Sequence, residues 1–137
     1  PEPLKTQAYD TLTELEAGRT VAEPPPALAA LFRPSVQPYL ISWLPLDPAA
    51  LLAAYDGPVF IGQGTTDLQI TTADAQALSA AAPEATLKLW DGVNHVLKAA
   101  PMDRAANIAV YADPDLPLAP GVVADVAAFI RANPPAQ

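Results

Sequence analysis

Asp67 and His95 are the two residues of this chain whose types and spacing point most directly to chemistry. Asp67 closes the run P-V-F-I-G-Q-G-T-T-D, and His95 closes A-T-L-K-L-W-D-G-V-N-H. Between them lies an alanine-rich stretch with helical character. Stripped to its elements, the segment Pro58–His95 predicts strand, Asp67 on a loop, helix, strand, His95 on a loop. Two parallel strands joined by a helix deliver both strand ends to one edge of the sheet, where open α/β sheets hold ligands. An imidazole can take a proton from a hydroxyl near neutral pH and return it to a leaving group. A carboxylate on its other nitrogen fixes the tautomer and stabilises the imidazolium. Taken alone, a lone histidine such as His95 is more often a surface or core residue without chemistry, and Asp67 also fits a turn or helix-capping residue.

The third member of such a constellation, a nucleophile, is missing. The serines are Ser35, Ser42 and Ser79, and none lies in a G-x-S-x-G elbow. Ser79 falls in the helix between the two strands. Ser35 and Ser42 fall in a proline-interrupted helical region. The chain has no cysteine, which excludes a thiolate nucleophile, a thiolate metal site and a disulfide framework. With one histidine, a multi-histidine metal site is excluded too. Asp113-x-Asp115 lacks the pattern of a calcium loop and reads as a solvated turn. Asp91, before Gly92, reads as a turn residue.

Around this segment the chain predicts a helical region followed by an α/β region. Pro1–Gly18 has Leu4, Ala8, Leu12 and Leu15 at helical spacing, with Gly18 as the stop. Val21–Pro26 reads as a linker. Ala27–Phe32 is a short helix ended by Arg33-Pro34. Ser35–Leu44 is one or two helical turns, because Pro38 cannot donate to a ladder. Asp47 caps a helix from Pro48 to Tyr55. Residues 1–55 thus resemble a lid or cap more than an independent core. In residues 56–137 the expectation is a βαβα arrangement. Strand Val59–Ile61 is bounded by Gly62. A helix from the box-like Thr71-x-x-Asp74 runs to about Ala82. Strand Ala85–Trp90 carries Leu87 and Leu89 on one face. A helical turn follows near Arg104–Ile108, and a last helix, Pro120–Ala132, has Val122, Val123, Val126, Phe129 and Ile130 as its apolar stripe.

Hydrophobic residues make up 51% of the 137 positions, enough to bury a core. Seventeen prolines account for the interrupted helices. The net charge of −8 argues against nucleic acid or an anionic membrane surface as partner. No apolar run reaches the roughly 20 residues that span a bilayer, and no signal-peptide pattern opens the chain.

From about Leu31 onward the chain resembles the C-terminal half of serine α/β-hydrolases, in particular the bacterial serine aminopeptidase-like branch. The resemblance is carried by L-F-R-P-S-V-Q-P-Y-L-I-S-W at 31–43, P-V-F-I-G-Q-G-T-T-D-L-Q at 58–69, V-N-H-V-L-K at 93–98 and Y-A-D-P-D-L-P-L at 111–118. It implies that Asp67 is the triad acid and His95 the general base. It implies a helical lid plus the last two parallel strands of the sheet with their flanking helices. It also implies hydrolysis of a carboxylic ester or a small amide or peptide, without a cofactor or a metal. Tyr39, Trp43 and Leu44 are candidate walls of an acyl pocket under a lid, and equally residues of ordinary packing. Leu68 and Val96 become wall candidates by adjacency to the two catalytic positions. The nucleophile elbow and the oxyanion hole of that family are absent from these residues.

Two parallel strands leave an unpaired edge and open faces. The expected partner is therefore the N-terminal half of the hydrolase as a separate chain, or failing that a swapped homo-oligomer. The alternative, from a different class, is a non-catalytic interaction or assembly module derived from a hydrolase half.

Overall fold

In a computed structural model, residues 2–134 are described. The chain divides into two compact units, Pro1–Asp47 and Pro48–Gln137. The sequence-based boundary at 55/56 falls one short helix later than this break.

The first unit is all helical. Helix α1 spans Glu2–Glu16 and buries Thr11 and Leu15 on one face. Its stop is the expected glycine. Gly18 has φ +75°, and the Gly18 and Arg19 amides donate to the carbonyls of Leu15 and Glu14, which satisfies the last turn. After a 3-10 turn at Pro26–Leu28 come α2, Ala29–Phe32, and, beyond a second 3-10 turn at Pro34–Val36, α3, Gln37–Trp43. Proline opens each turn, where its missing N–H costs nothing. Phe32 is buried, and Gln37 is buried completely. The Gln37 carboxamide accepts from the Val21 amide at 2.8 Å and donates to the carbonyls of Val21 and Phe32 at 2.8 and 2.7 Å. One side chain thereby fixes the linker that the three prolines leave without a ladder.

The second unit is mixed α/β. Helix α4, Pro48–Ala53, packs on α5, Thr72–Ala81. The Asp74 carboxylate accepts from the Thr71 amide and hydroxyl at the start of α5, so the box-like sequence marks the true helix start. Strands β1, Phe60–Gly64, and β2, Thr86–Trp90, pair in parallel with Phe60 opposite Thr86 and Gly64 opposite Trp90. Among the described residues these two strands make up the sheet. Strand β1 differs from the sequence expectation, running through Gly62 to Gly64 where Gly62 was expected to end it. Both glycines are sites of close approach. A Cβ at Gly62 would meet the Trp90 ring, and one at Gly64 would meet the Val93 carbonyl.

Neither sheet face is bare. Helix α5 packs on β1 and β2. On the face that carries Phe60 and Trp90 lies α7, Val122–Ala132, with Phe60 and Phe129 ring centroids 5.4 Å apart. Trp90, Val93, Ala119 and Val122 form the buried core, flanked by Phe60, Leu97 and Val126. Two members of the expected α7 stripe, Val123 and Ile130, are about 60% exposed instead. They lie just outside the arc that Val122, Val126 and Phe129 turn to the sheet. Leu89 is also exposed, and Leu87 is only half-buried. The short helix α6, Arg104–Ala109, is capped by Asp103, whose carboxylate accepts from the Ala106 amide at 2.9 Å. No helix among the described residues is long and apolar enough to cross a membrane.

Candidate active site

The ends of β1 and β2 bring Asp67 and His95 together. Asp67 Oδ2 lies 2.8 Å from His95 Nδ1 across 28 positions of sequence. The carboxylate is the enclosed partner, with its side chain 6% exposed against 40% for the imidazole.

Each side chain sits on a short, strongly tied loop. Beyond β1 the backbone does not drift away from the sheet. The Thr65 amide donates to Trp90 O at 2.9 Å and the Thr66 amide to Val93 O at 3.0 Å. The Thr65 hydroxyl donates to Asp91 at 3.0 Å and accepts from the Gly92 amide at 2.9 Å. Asp91 is thus a link between the two loops. Beyond β2, Gly92 has φ +66° and turns the chain. Val93 and Ala99 then form an antiparallel bridge. The Asn94 amide donates to Lys98 O, and the Ala100 amide to Gly92 O. His95, Val96 and Leu97 form the tip of this miniature hairpin. Leu97 has φ +60°, a left-handed conformation uncommon outside glycine, and its side chain packs against the core. The segment after α6 holds the same loop. Lys98 Nζ donates to Asp113 O, and the Ala119 amide donates to Leu97 O.

The Asp67 carboxylate is fully engaged. Its Oδ1 accepts from the Gln69 and Ile70 amides at 2.7 and 3.1 Å, and its Oδ2 accepts from Gln63 Nε2 at 3.2 Å besides facing the imidazole. Burial alone would raise this carboxyl. The amides of Gln69 and Ile70, with His95 and Gln63, outweigh burial and hold it below the usual carboxylate range. An ionised acceptor at Nδ1 places the imidazole proton on that nitrogen and leaves Nε2 as the basic atom.

Several polar residues of this architecture have no counterpart among the sequence-based candidates. Gln63 Nε2 also donates to the carbonyls of Gly64 and Ile70. Asn94 and Asn107 are completely buried. Asn94 Oδ1 accepts from the Lys98 amide at 3.1 Å. Asn107 Nδ2 donates to the carbonyls of Thr66 and Pro101, both at 2.8 Å, and its Oδ1 lies 3.5 Å from Asn94 Nδ2. The available signal was a glutamine inside an apolar strand and an asparagine directly before the histidine.

The remaining candidates are placed as follows. Leu68 is half-buried and lines a concavity of about 250 Å³ with Gln69, Arg104, Ile108 and Tyr111. Gln69 Nε2 donates to the Tyr111 hydroxyl there at 3.2 Å. Val96 is half-buried at the hairpin tip beside His95. Tyr39 and Trp43 belong to α3 of the first unit, 68% and 44% exposed, with ring centroids 6.1 Å apart. Ser35 and Ser42 belong to the first unit as well, and the Ser42 hydroxyl donates to Tyr39 O. Ser79 lies within α5. Asp113 accepts from the Asp115 amide in a local turn. Among the described residues no three acidic or histidine side chains gather as a metal site would require.

No protein-family model, curated protein or solved structure matches the chain.

Proposed function

We propose that this chain is the acid–base segment of a serine hydrolase of the α/β-hydrolase type, acting on a carboxylic ester or a small amide or peptide. The observation that carries the reading is the 2.8 Å contact between His95 Nδ1 and an Asp67 carboxylate held ionised by two backbone amides. The strand–loop–helix–strand–loop order that delivers the pair supports it, as does the sequence resemblance to that family.

In this reading the nucleophilic serine and the oxyanion amides belong to a segment or chain outside these residues. The serine hydroxyl gives its proton to His95 Nε2 as its oxygen bonds to the substrate carbonyl carbon. The imidazolium is stabilised by Asp67, which stays ionised. It returns the proton to the departing alcohol or amine as the carbonyl reforms and the acyl-enzyme remains. Water then repeats the cycle, losing its proton to Nε2 and releasing the acid. Leu68 and Val96 flank the reacting groups.

The test is His95→Ala in the assembled protein. Loss of turnover by about 10⁴-fold, with the assembly intact, is the expected result. Undiminished turnover would contradict it, and a role in assembly alone would predict no dependence on His95.

A further inference from the structure

We propose that Asn107 is the positioning residue that sets the angle at which Asp67 meets His95. The inference rests on the acid–base reading above but is tested on the geometry itself.

Backbone bonds from Thr65 and Thr66 tie the start of the acid loop to the end of β2. They hold the N–H side of Thr66. The peptide plane that joins Thr66 to Asp67 has its N–H on Gly64 O through a long 3.4 Å bond only, and rotation of that plane swings the Asp67 carboxylate. The carbonyl of this peptide is held by Asn107 Nδ2 at 2.8 Å, from a helix 41 positions away. The same nitrogen donates to Pro101 O, and the Asn107 amide is itself fixed on Asp103 O at 2.8 Å. On its other side the carboxamide oxygen faces Asn94 Nδ2 at 3.5 Å. Asn94 immediately precedes His95, and its Oδ1 closes the hairpin on the Lys98 amide. One fully buried carboxamide therefore touches the residue before the acid and the residue before the base. A buried carboxamide is a strong constraint because each of its groups is costly to leave unpaired. Asn107 reaches no reacting atom, so its effect passes through Asp67 and His95.

His95 is the sole histidine, so its ring nitrogens can be followed by ¹⁵N–¹H NMR in the intact 137-residue chain without overlap. In the wild type the expected tautomer carries the proton on Nδ1, with a downfield Nδ1–H resonance. Asn107→Ala should lose that resonance and average the two ¹⁵N shifts. Phe129→Ala serves as the control, since it removes a ring packed on Phe60 away from both loops. It should lower stability and leave the His95 signals unchanged. An Asn107→Ala protein that stays folded and keeps the wild-type ring shifts would overturn the proposal. Should that variant not fold, hydrogen exchange of the Asn107 side-chain amide in the wild type decides. Slow exchange is expected, and exchange as fast as that of an exposed amide would overturn it. A wild-type ring protonated on Nε2 would instead remove the acid–base reading itself.

Discussion

Asp67→Asn changes one atom and should be visible both in stability and in the imidazole. The carboxamide oxygen can still accept from the Gln69 and Ile70 amides, at 2.7 and 3.1 Å in the wild type. Those bonds fall from charge-assisted, about 1.5–3 kcal/mol each, to neutral, about 0.5–1.5 kcal/mol each. Both donors belong to exposed residues. The lower end applies, and the loss at neutral pH should be about 1–2 kcal/mol. The new NH₂ points at Gln63 Nε2 and His95 Nδ1, which are respectively a donor and the nitrogen that carried the proton. Nδ1 must now accept, so the ring proton moves to Nε2 and the basic atom is lost. In the proposed hydrolase assembly this tautomer change is expected to lower turnover by about 10⁴-fold. The pH dependence has a definite sign. Asp67 is depressed in the folded state. Its stabilising contribution is therefore complete above the unfolded value near ~3.9 and is lost as pH falls through the lower folded value. Urea unfolding of both proteins from pH 7 to pH 2, with m held in common, should show a gap that closes below about pH 4. A gap that stays constant to pH 2, or no gap at pH 7, would refute the reasoning. So would an unchanged ring tautomer in the variant.

Two further substitutions probe the supports. Gly64→Ala places a methyl group against the Val93 carbonyl, the acceptor of the Thr66 amide, so both loops must move. A loss of more than about 2 kcal/mol is expected from thermal or urea unfolding, with disturbed His95 signals; a near-neutral result would mean that the loops are not closely packed there. Gln37→Ala leaves the Val21 amide and the carbonyls of Val21 and Phe32 without their buried partner. It should cost about 3 kcal/mol and speed amide exchange at Val21, and unchanged exchange at Val21 would contradict the role of Gln37.

The strand–loop–helix–strand–loop order around Asp67 and His95 was legible in the sequence because each element has a local signature. The short apolar strand, the Thr71–Asp74 helix start and the Asp91-Gly92 turn each speak through neighbouring residues. The helices of the first unit were legible for the same reason, through proline at their starts and Gly18 at the end of α1. What was not legible depends on distance. Gly62 looked like a breaker, yet it and Gly64 are strand residues made small by Trp90 and Val93, which lie far along the chain. Asn107 reads as an ordinary helix residue, and only the fold brings it to Thr66 and Asn94. Val123 and Ile130 repeat at helical spacing, but the two-stranded sheet is too narrow to cover an arc that wide. The absence of a nucleophile was legible at once, since it needs only a search for serine in its elbow.

In the proposed function Asp67 and His95 serve a serine held outside these residues. The most direct measurement is labelling with a fluorophosphonate probe of material purified natively with this chain, read by intact mass for the wild type and for His95→Ala. One adduct is expected on a serine of another segment or chain, formed at a rate that His95→Ala lowers by several orders of magnitude. Labelling of Ser35, Ser42 or Ser79, or labelling that does not depend on His95, would contradict it.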